Sequence, residues 1–165
     1  GYQTRLRKCW YNSTDACAED GAVTIETASK LCEGQCRSDY TITRHGFCLK
    51  MVAKVTNQPA AEKMCQSEGG HLINVDTQER MIDFTNITQK SAWVWTDGLR
   101  ANIKSPFKYH SGVDSFLSKA SQWKNNEPSN GSTELCLITE RLSNGKRYWH
   151  DIVCQAKQPF VCEIR

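Results

Sequence analysis

The sequence predicts an α+β domain, disulfide-bonded, with two early helices, an antiparallel sheet formed largely by late strands, and a long loop region between. Three observations carry this expectation. Two helical segments precede three strand-like runs near the C-terminus, and helices grouped apart from strands favour an antiparallel sheet with helices packed on it. Roughly 35 residues before Thr133 are rich in Gly, Pro, Ser and Asn, a length that an ordinary connection does not reach and a functional loop does. Nine cysteines in 165 residues set an oxidising framework.

In chain order, residues 1–35 hold three cysteines, few large aliphatics and one short helical run, Val23 to Leu31. They read as an N-terminal extension, with the domain proper over 36–165. From Phe47 the alternation of Phe47, Leu49, Met51, Ala53 and Val55 with Cys48, Lys50 and Lys54 predicts a half-buried strand. Asn57-Gln58-Pro59 opens a helix that Gly69-Gly70 stops, since Pro suits the first turn and Gly the end. Leu72, Ile73 and Val75 give a short strand. Asp76-Thr-Gln-Glu79 reads as a capping box, with the Asp76 side chain accepting from the Glu79 amide, and opens a second helix through Met81, Ile82 and Phe84 to about Gln89. After Trp93-Val-Trp95 the chain is read as loop. Strands are expected again at Leu135–Thr139, Arg147–Asp151 and Phe160–Ile164.

Composition narrows the function classes. Hydrophobic residues at 39% and charged residues at 24% describe a globular chain. The net charge of +3 is spread over interspersed signs with no basic block among aromatics, which argues against nucleic acid. No apolar run nears the roughly 18 residues of a membrane span. The opening Gly-Tyr-Gln-Thr-Arg has no apolar leader, so the chain reads as a mature or trimmed form. Zinc is disfavoured, because no Cys-x2-Cys knuckle occurs and the histidines lie apart at His45, His71, His110 and His150. Sequons at Asn12, Asn86 and Asn130 agree with a secreted glycoprotein. No Gly-x-Ser-x-Gly elbow, His-Glu-x-x-His helix or phosphate loop is present, and a non-enzymatic role is expected.

Five motifs then stand in order: Gly69-Gly-His-Leu72, Trp95-Thr-Asp-Gly-Leu99, Trp123-Lys-Asn-Asn-Glu-Pro128, Trp149-His-Asp-Ile-Val-Cys154 and Phe160-Val-Cys-Glu163. With six cysteines in register, they make Cys36 to Arg165 resemble the C-type lectin-like family. The resemblance implies that family's fold, with two helices flanking small antiparallel sheets and a long loop region. It implies the pairings Cys36–Cys48, Cys65–Cys162 and Cys136–Cys154. Cys9, Cys17 and Cys32 are left, an odd number: two can pair locally, and the third is expected to join a partner chain in a disulfide-linked homo- or hetero-dimer.

Many members of that family bind a sugar through one calcium ion, which takes six to eight oxygen ligands. The positions matching its ligands are Glu127-Pro128-Ser129, Glu134 and Trp149-His150-Asp151, with a cis bond expected before Pro128. The metal set implied is Glu127, Ser129, Glu134 and Asp151, and the sugar set adds Asn130 and His150. The resemblance is incomplete here. Ser129 and His150 stand where the family has amides, and an imidazole nitrogen suits a hard cation poorly. Leu135 replaces an acid of an auxiliary calcium site, and a glycan on Asn130 would hang over the centre. The Glu127, Glu134 and Asp151 cluster also has the look of a hydrolase carboxylate pair, but its order matches a calcium ring. Trp95, Trp123 and Trp149 are read as packing residues rather than sugar platforms. Two expectations follow: a lectin using a degenerate calcium site, or calcium-independent recognition of a protein or glycan through the loops. Glu-Pro-Ser fits neither the mannose nor the galactose pattern, so the sugar stays open.

Overall fold

The computed structural model describes residues 36–110 and 123–164. The expected extension over 1–35, with its helical run, Cys9, Cys17, Cys32 and Asn12, lies outside them.

The chain runs β1 (Thr41–Ile42), β2 (Cys48–Thr56), α1 (Gln58–Ser67), β3 (His71–Leu72), α2 (Gln78–Ile87), β4 (Trp93–Leu99), β5 (Cys136–Arg141), β6 (Arg147–Ile152) and β7 (Gln158–Ile164). The strands join in one sheet in the order β1-β2-β7-β4-β5-β6, with β3 also on β7. All pairings are antiparallel except β4 with β7, where Trp95 faces Phe160 in parallel. The chain's last strand thus lies between its first hairpin and the loop-bearing strands.

Helix α1 starts because the Asn57 side chain accepts from the Ala60 amide at 2.9 Å and Pro59 sits in the first turn. It ends where Gly69 takes φ +83°, a conformation that costs glycine nothing, and Gly69 and Gly70 amides donate to Gln66 and Cys65 carbonyls. Helix α2 corrects the expected capping box by one residue. Thr77, not Asp76, is the cap, its hydroxyl accepting from the Arg80 amide at 3.2 Å. Asp76 instead pairs with the Arg80 guanidinium, which also reaches the buried Glu163 at 3.0 Å.

Neighbouring residues of a strand face opposite ways, and this builds two cores from the same strands. Val94, Leu137 and Val161 join Phe84 of α2 and Trp149 on one face. Trp95, Ile138 and Phe160 join Ala61 and Cys65 of α1 on the other. Each fully buried large side chain contributes about 1.5–3 kcal/mol. The three expected disulfides are present: Cys36–Cys48, Cys65–Cys162 and Cys136–Cys154.

The loop region holds more order than its composition predicts. Strand β4 continues past Trp95 to Leu99, and Leu99 exchanges both backbone hydrogen bonds with Lys108. Trp123 pairs with Trp149, and the Lys124 amide donates to the Trp149 carbonyl, which docks the second half of the loop onto the edge of β6 away from β5. Pairing with the sheet, which Gly and Ser content does not reveal, overrides local propensity here.

Candidate functional site

The site is built where β4 and β6 end beside the start of β5. The Cys136–Cys154 bridge ties the first residue of β5 to the chain just past β6. Asp151 on β6 lies opposite Leu137 on β5 and is buried. The Glu127–Pro128 bond is cis, as expected. The loop that follows folds over Asp151: the Ser129 amide donates to Asp151 Oδ1 at 2.7 Å, with the Ser129 hydroxyl oxygen 3.2 Å from the same atom, and the Asn130 amide donates to Oδ2 at 2.9 Å. The Ser129 hydroxyl also lies 2.6 Å from Glu134 Oε2, which accepts from the Gly131 amide at 2.7 Å. The Ser129 amide is shared with Glu127 Oε2 at 3.1 Å.

The residues implied as calcium ligands, Glu127, Ser129, Glu134 and Asp151, therefore converge, with Asn130 beside them. A cation that the motifs do not include stands among them. Arg100 follows directly on β4, its amide bound to the Leu135 carbonyl. Its guanidinium donates to Asp151 Oδ2 at 2.7 Å, to the Glu134 carbonyl from two nitrogens at 3.0 and 2.6 Å, and to Asn130 Oδ1 at 2.8 Å. It also lies over the Phe107 ring, 4.5 Å from the centroid, a favourable cation–π placement.

His150 is separated from this cluster by strand alternation. Its ring faces Trp93 at 4.6 Å between centroids, and Nε2 lies 2.9 Å from Glu140 Oε2, which Lys124 also reaches at 2.5 Å. Only a 3.4 Å approach of Nδ1 to Glu127 Oε1 connects the two sides, around the sheet edge. Both His150 and Asp151 are buried, whereas Ser129 and Asn130 are exposed and Glu127 and Glu134 half-buried. The surface a ligand meets is thus the loop rim, with Asp151 beneath it.

The two acids at the centre differ in charge preference. Burial, then the hydrogen bond shared with Asp151, pushes the Glu127 carboxyl above the usual carboxylate range. Burial also opposes the Asp151 charge, but the bond shared with Glu127, the Asn130 and Ser129 amides and the Arg100 cation outweigh it and hold that carboxyl below the range.

A calcium ion needs six to eight oxygens with lone pairs directed at it and negative charge to offset. In this arrangement Asp151 Oδ1 accepts from the Ser129 amide, and Oδ2 from the Asn130 amide and a guanidinium. Glu134 Oε2 accepts two more. Among the described residues no group of three or more His, Cys, Asp or Glu is disposed to hold a metal. These residues, so bonded, do not fit a calcium ion. Arg100 was not legible from sequence, since its partners lie 30 to 51 positions away.

Of the two sequons within the described residues, Asn86 is exposed on α2. Asn130, at φ 55°, is exposed too, but its side chain is engaged at both ends, with Nδ2 donating to the Pro128 carbonyl at 2.9 Å.

The fold and the chain have recognisable relatives. A C-type lectin mannose-binding isoform from Oxyuranus scutellatus is 26% identical over 88% of this chain and 91% of its own. Mouse relatives are longer, and the chain spans about half their length. Among solved structures, the C-type lectin domain of murine dendritic cell inhibitory receptor 2 in complex with N-glycan superposes with a TM-score of 0.67 at 22% identity, over 79% of this chain and 98% of that one. The Ca2+-independent C-type lectin SPL-2 from Saxidomus purpuratus gives 0.66 at 18%, over 80% and 95%. Residues 54–164, more than half of the sequence, match the lectin C-type domain, and the chain belongs to that family.

Proposed function

We propose that this chain is an extracellular carbohydrate-binding domain that meets its ligand on the loop rim of Glu127, Ser129, Asn130 and Glu134, without calcium. The observation that carries the reading is the convergence of these four residues into one polar surface, fixed from below by Asp151. Hydroxyl, carboxylate and amide groups held in one geometry match the alternating donors and acceptors of a sugar's hydroxyls. Of the two expectations, the calcium-independent one is favoured, because the oxygens that would take the ion are already engaged. Two structural neighbours bear on this: one is a complex with N-glycan and another a lectin described as Ca2+-independent. The hydrogen bonds from Arg100, Ser129 and Asn130 give the Asp151 carboxylate a structural task, which supports binding rather than catalysis.

Three disulfides among the described residues support an extracellular setting. The same reading includes glycosylation at the exposed Asn86, and a disulfide to a second chain through one of Cys9, Cys17 and Cys32. A glycan on Asn130 would cover the rim, so that position is expected to be bare in ligand-competent protein. Intact mass before and after deglycosylation, with non-reducing electrophoresis, checks these points.

The test is a glycan array on the full chain in calcium and in chelator, repeated with Ser129→Ala and Glu134→Gln. Hits that survive chelator and weaken in both variants support the reading. Hits that need calcium overturn its metal-independent part. A chain with no glycan ligand but a protein ligand that Ser129→Ala abolishes would favour protein recognition through the same loops.

A further inference from the structure

We infer that the Arg100 guanidinium is a built-in replacement for a bound divalent cation, organising the loop site from within the chain. This deepens the proposed function, although its main readout does not depend on which ligand the loops take.

An ion at the centre of such a site does two physical jobs. It offsets converging carboxylates, and it pins segments distant in sequence to one point through their oxygens. Arg100 does both. Its charge lies against Asp151 with both side chains almost wholly buried, 3% and 0% exposed. Its planar fork reaches three oxygens from three places: the Asp151 carboxylate on β6, the Glu134 carbonyl before β5, and the Asn130 side chain in the loop. A lysine ammonium is a point charge without this fork. Phe107 beneath the guanidinium and the Leu135 carbonyl on its backbone fix it in place.

Without Arg100, Asp151 would be a buried carboxylate with two further carboxyl groups, Glu127 and Glu134, and a hydroxyl, Ser129, at the same centre. That set has the hard oxygens a calcium ion takes. Removing the guanidinium frees Asp151 Oδ2, the Glu134 carbonyl and Asn130 Oδ1 of one partner each, while the Ser129 and Asn130 amides on Asp151 would have to turn aside for an ion, so a partial response to added calcium is expected.

The experiment is thermal unfolding of the full disulfide-bonded chain, wild type, Arg100→Ala and Arg100→Lys, in chelator and in calcium chloride at about 5 mM, a level that suits weak extracellular sites. Wild-type Tm is expected to be the same in both. Arg100→Ala in chelator is expected to fall by roughly 10 °C, because Asp151 loses a buried partner. Calcium should recover part of that fall, and isothermal titration should show calcium uptake in Arg100→Ala alone. Arg100→Lys should fall by less and respond less. A calcium-induced rise in wild-type Tm would overturn the inference, as would an Arg100→Ala variant that matches wild type or that calcium does not rescue. If neither variant folds, the wild-type comparison decides by itself: no calcium response supports the inference and a rise overturns it. A wild type indifferent to calcium that also finds no glycan contradicts the proposed function and leaves the role of Arg100 standing.

Discussion

Arg100 Nη2 lies 2.7 Å from Asp151 Oδ2, joining the end of β4 to the edge strand β6 across the start of β5. A buried ion pair is costly to form and costlier to break, because the survivor is left charged and unpaired. Much of the loop rests on Asp151: the amides of Ser129 and Asn130 bind its two oxygens, and Ser129 in turn holds Glu134.

Asp151 and Glu127 are therefore expected to respond in opposite ways to neutralisation. Asp151→Asn should cost about 3 kcal/mol, since Arg100 loses its counter-charge in a buried setting. Glu127→Gln should stay within about 1 kcal/mol of wild type near neutral pH, because burial already disfavours the Glu127 charge. The pH dependence follows from the signs. Asp151, held low, contributes stability above the ordinary carboxylate range, and this is lost as pH falls through its lowered value. Glu127, held high, contributes below that range and loses it as pH rises through its raised value, so Glu127→Gln should gain on wild type as pH rises toward 7. Urea unfolding of both variants at several pH values checks the pair.

Gly131→Ala should damage ligand binding far more than stability. A Cβ at Gly131 would meet Glu134 Oε2 at 2.5 Å, and that carboxylate, the far end of a flexible side chain, would move aside by giving up its bonds to the Ser129 hydroxyl and Gly131 amide. The expected cost is about 1 kcal/mol, with a loss of affinity for any glycan found on the array. Equal affinity in variant and wild type would remove Glu134 from the ligand surface.

Features set by local pattern are legible in the sequence itself. Asn57 and Pro59 announced α1, the alternation from Phe47 announced β2, and ordered motifs brought Glu127, Ser129, Glu134 and Asp151 together as a set. What stayed hidden depends on tertiary neighbours. Thr77 caps α2 while Asp76 pairs with the Arg80 guanidinium, a tertiary arrangement that the Asp76-Thr-Gln-Glu79 pattern does not reveal. Strand β4 runs on to Leu99 because β5 and Lys108 pair with it. His150, adjacent to Asp151 in sequence, faces Trp93 because successive strand residues point apart. Arg100 carries no motif at all, and only the fold sets it against Asp151.

The Cys65–Cys162 bridge should be the most consequential of the three for folding. It spans 97 positions, and in the chain-entropy model its loss costs about 4–5 kcal/mol. It also lies in the α1-side core, so the double Cys65→Ala, Cys162→Ala variant should unfold at markedly lower urea than a Cys36→Ala, Cys48→Ala variant, whose loop spans 12. Comparable midpoints for the two variants would contradict this ranking.

Lys50 ties the first hairpin to the end of α1, reaching Asp39 at 2.7 Å and Glu68 at 2.8 Å. Its hydrogen bonds with Asp39 and Glu68 raise its own pKa, and those bonds are the first cause holding both acids low. Depressed acids contribute above their ordinary range and lose that contribution as pH falls through the lowered values. The raised lysine contributes up to its ordinary value and loses it as pH rises through the raised one. Lys50→Met should thus lower Tm at neutral pH, with the difference from wild type shrinking as pH falls through the lowered values of the two acids. A difference that does not shrink would assign the effect to packing.

The most direct test of the account is a glycan array on the wild-type chain, read once in calcium and once in chelator. The same glycan hits at the same strength are expected in both, because Arg100 supplies the positive charge beneath the loop rim. Hits that appear in calcium and disappear in chelator would contradict that expectation.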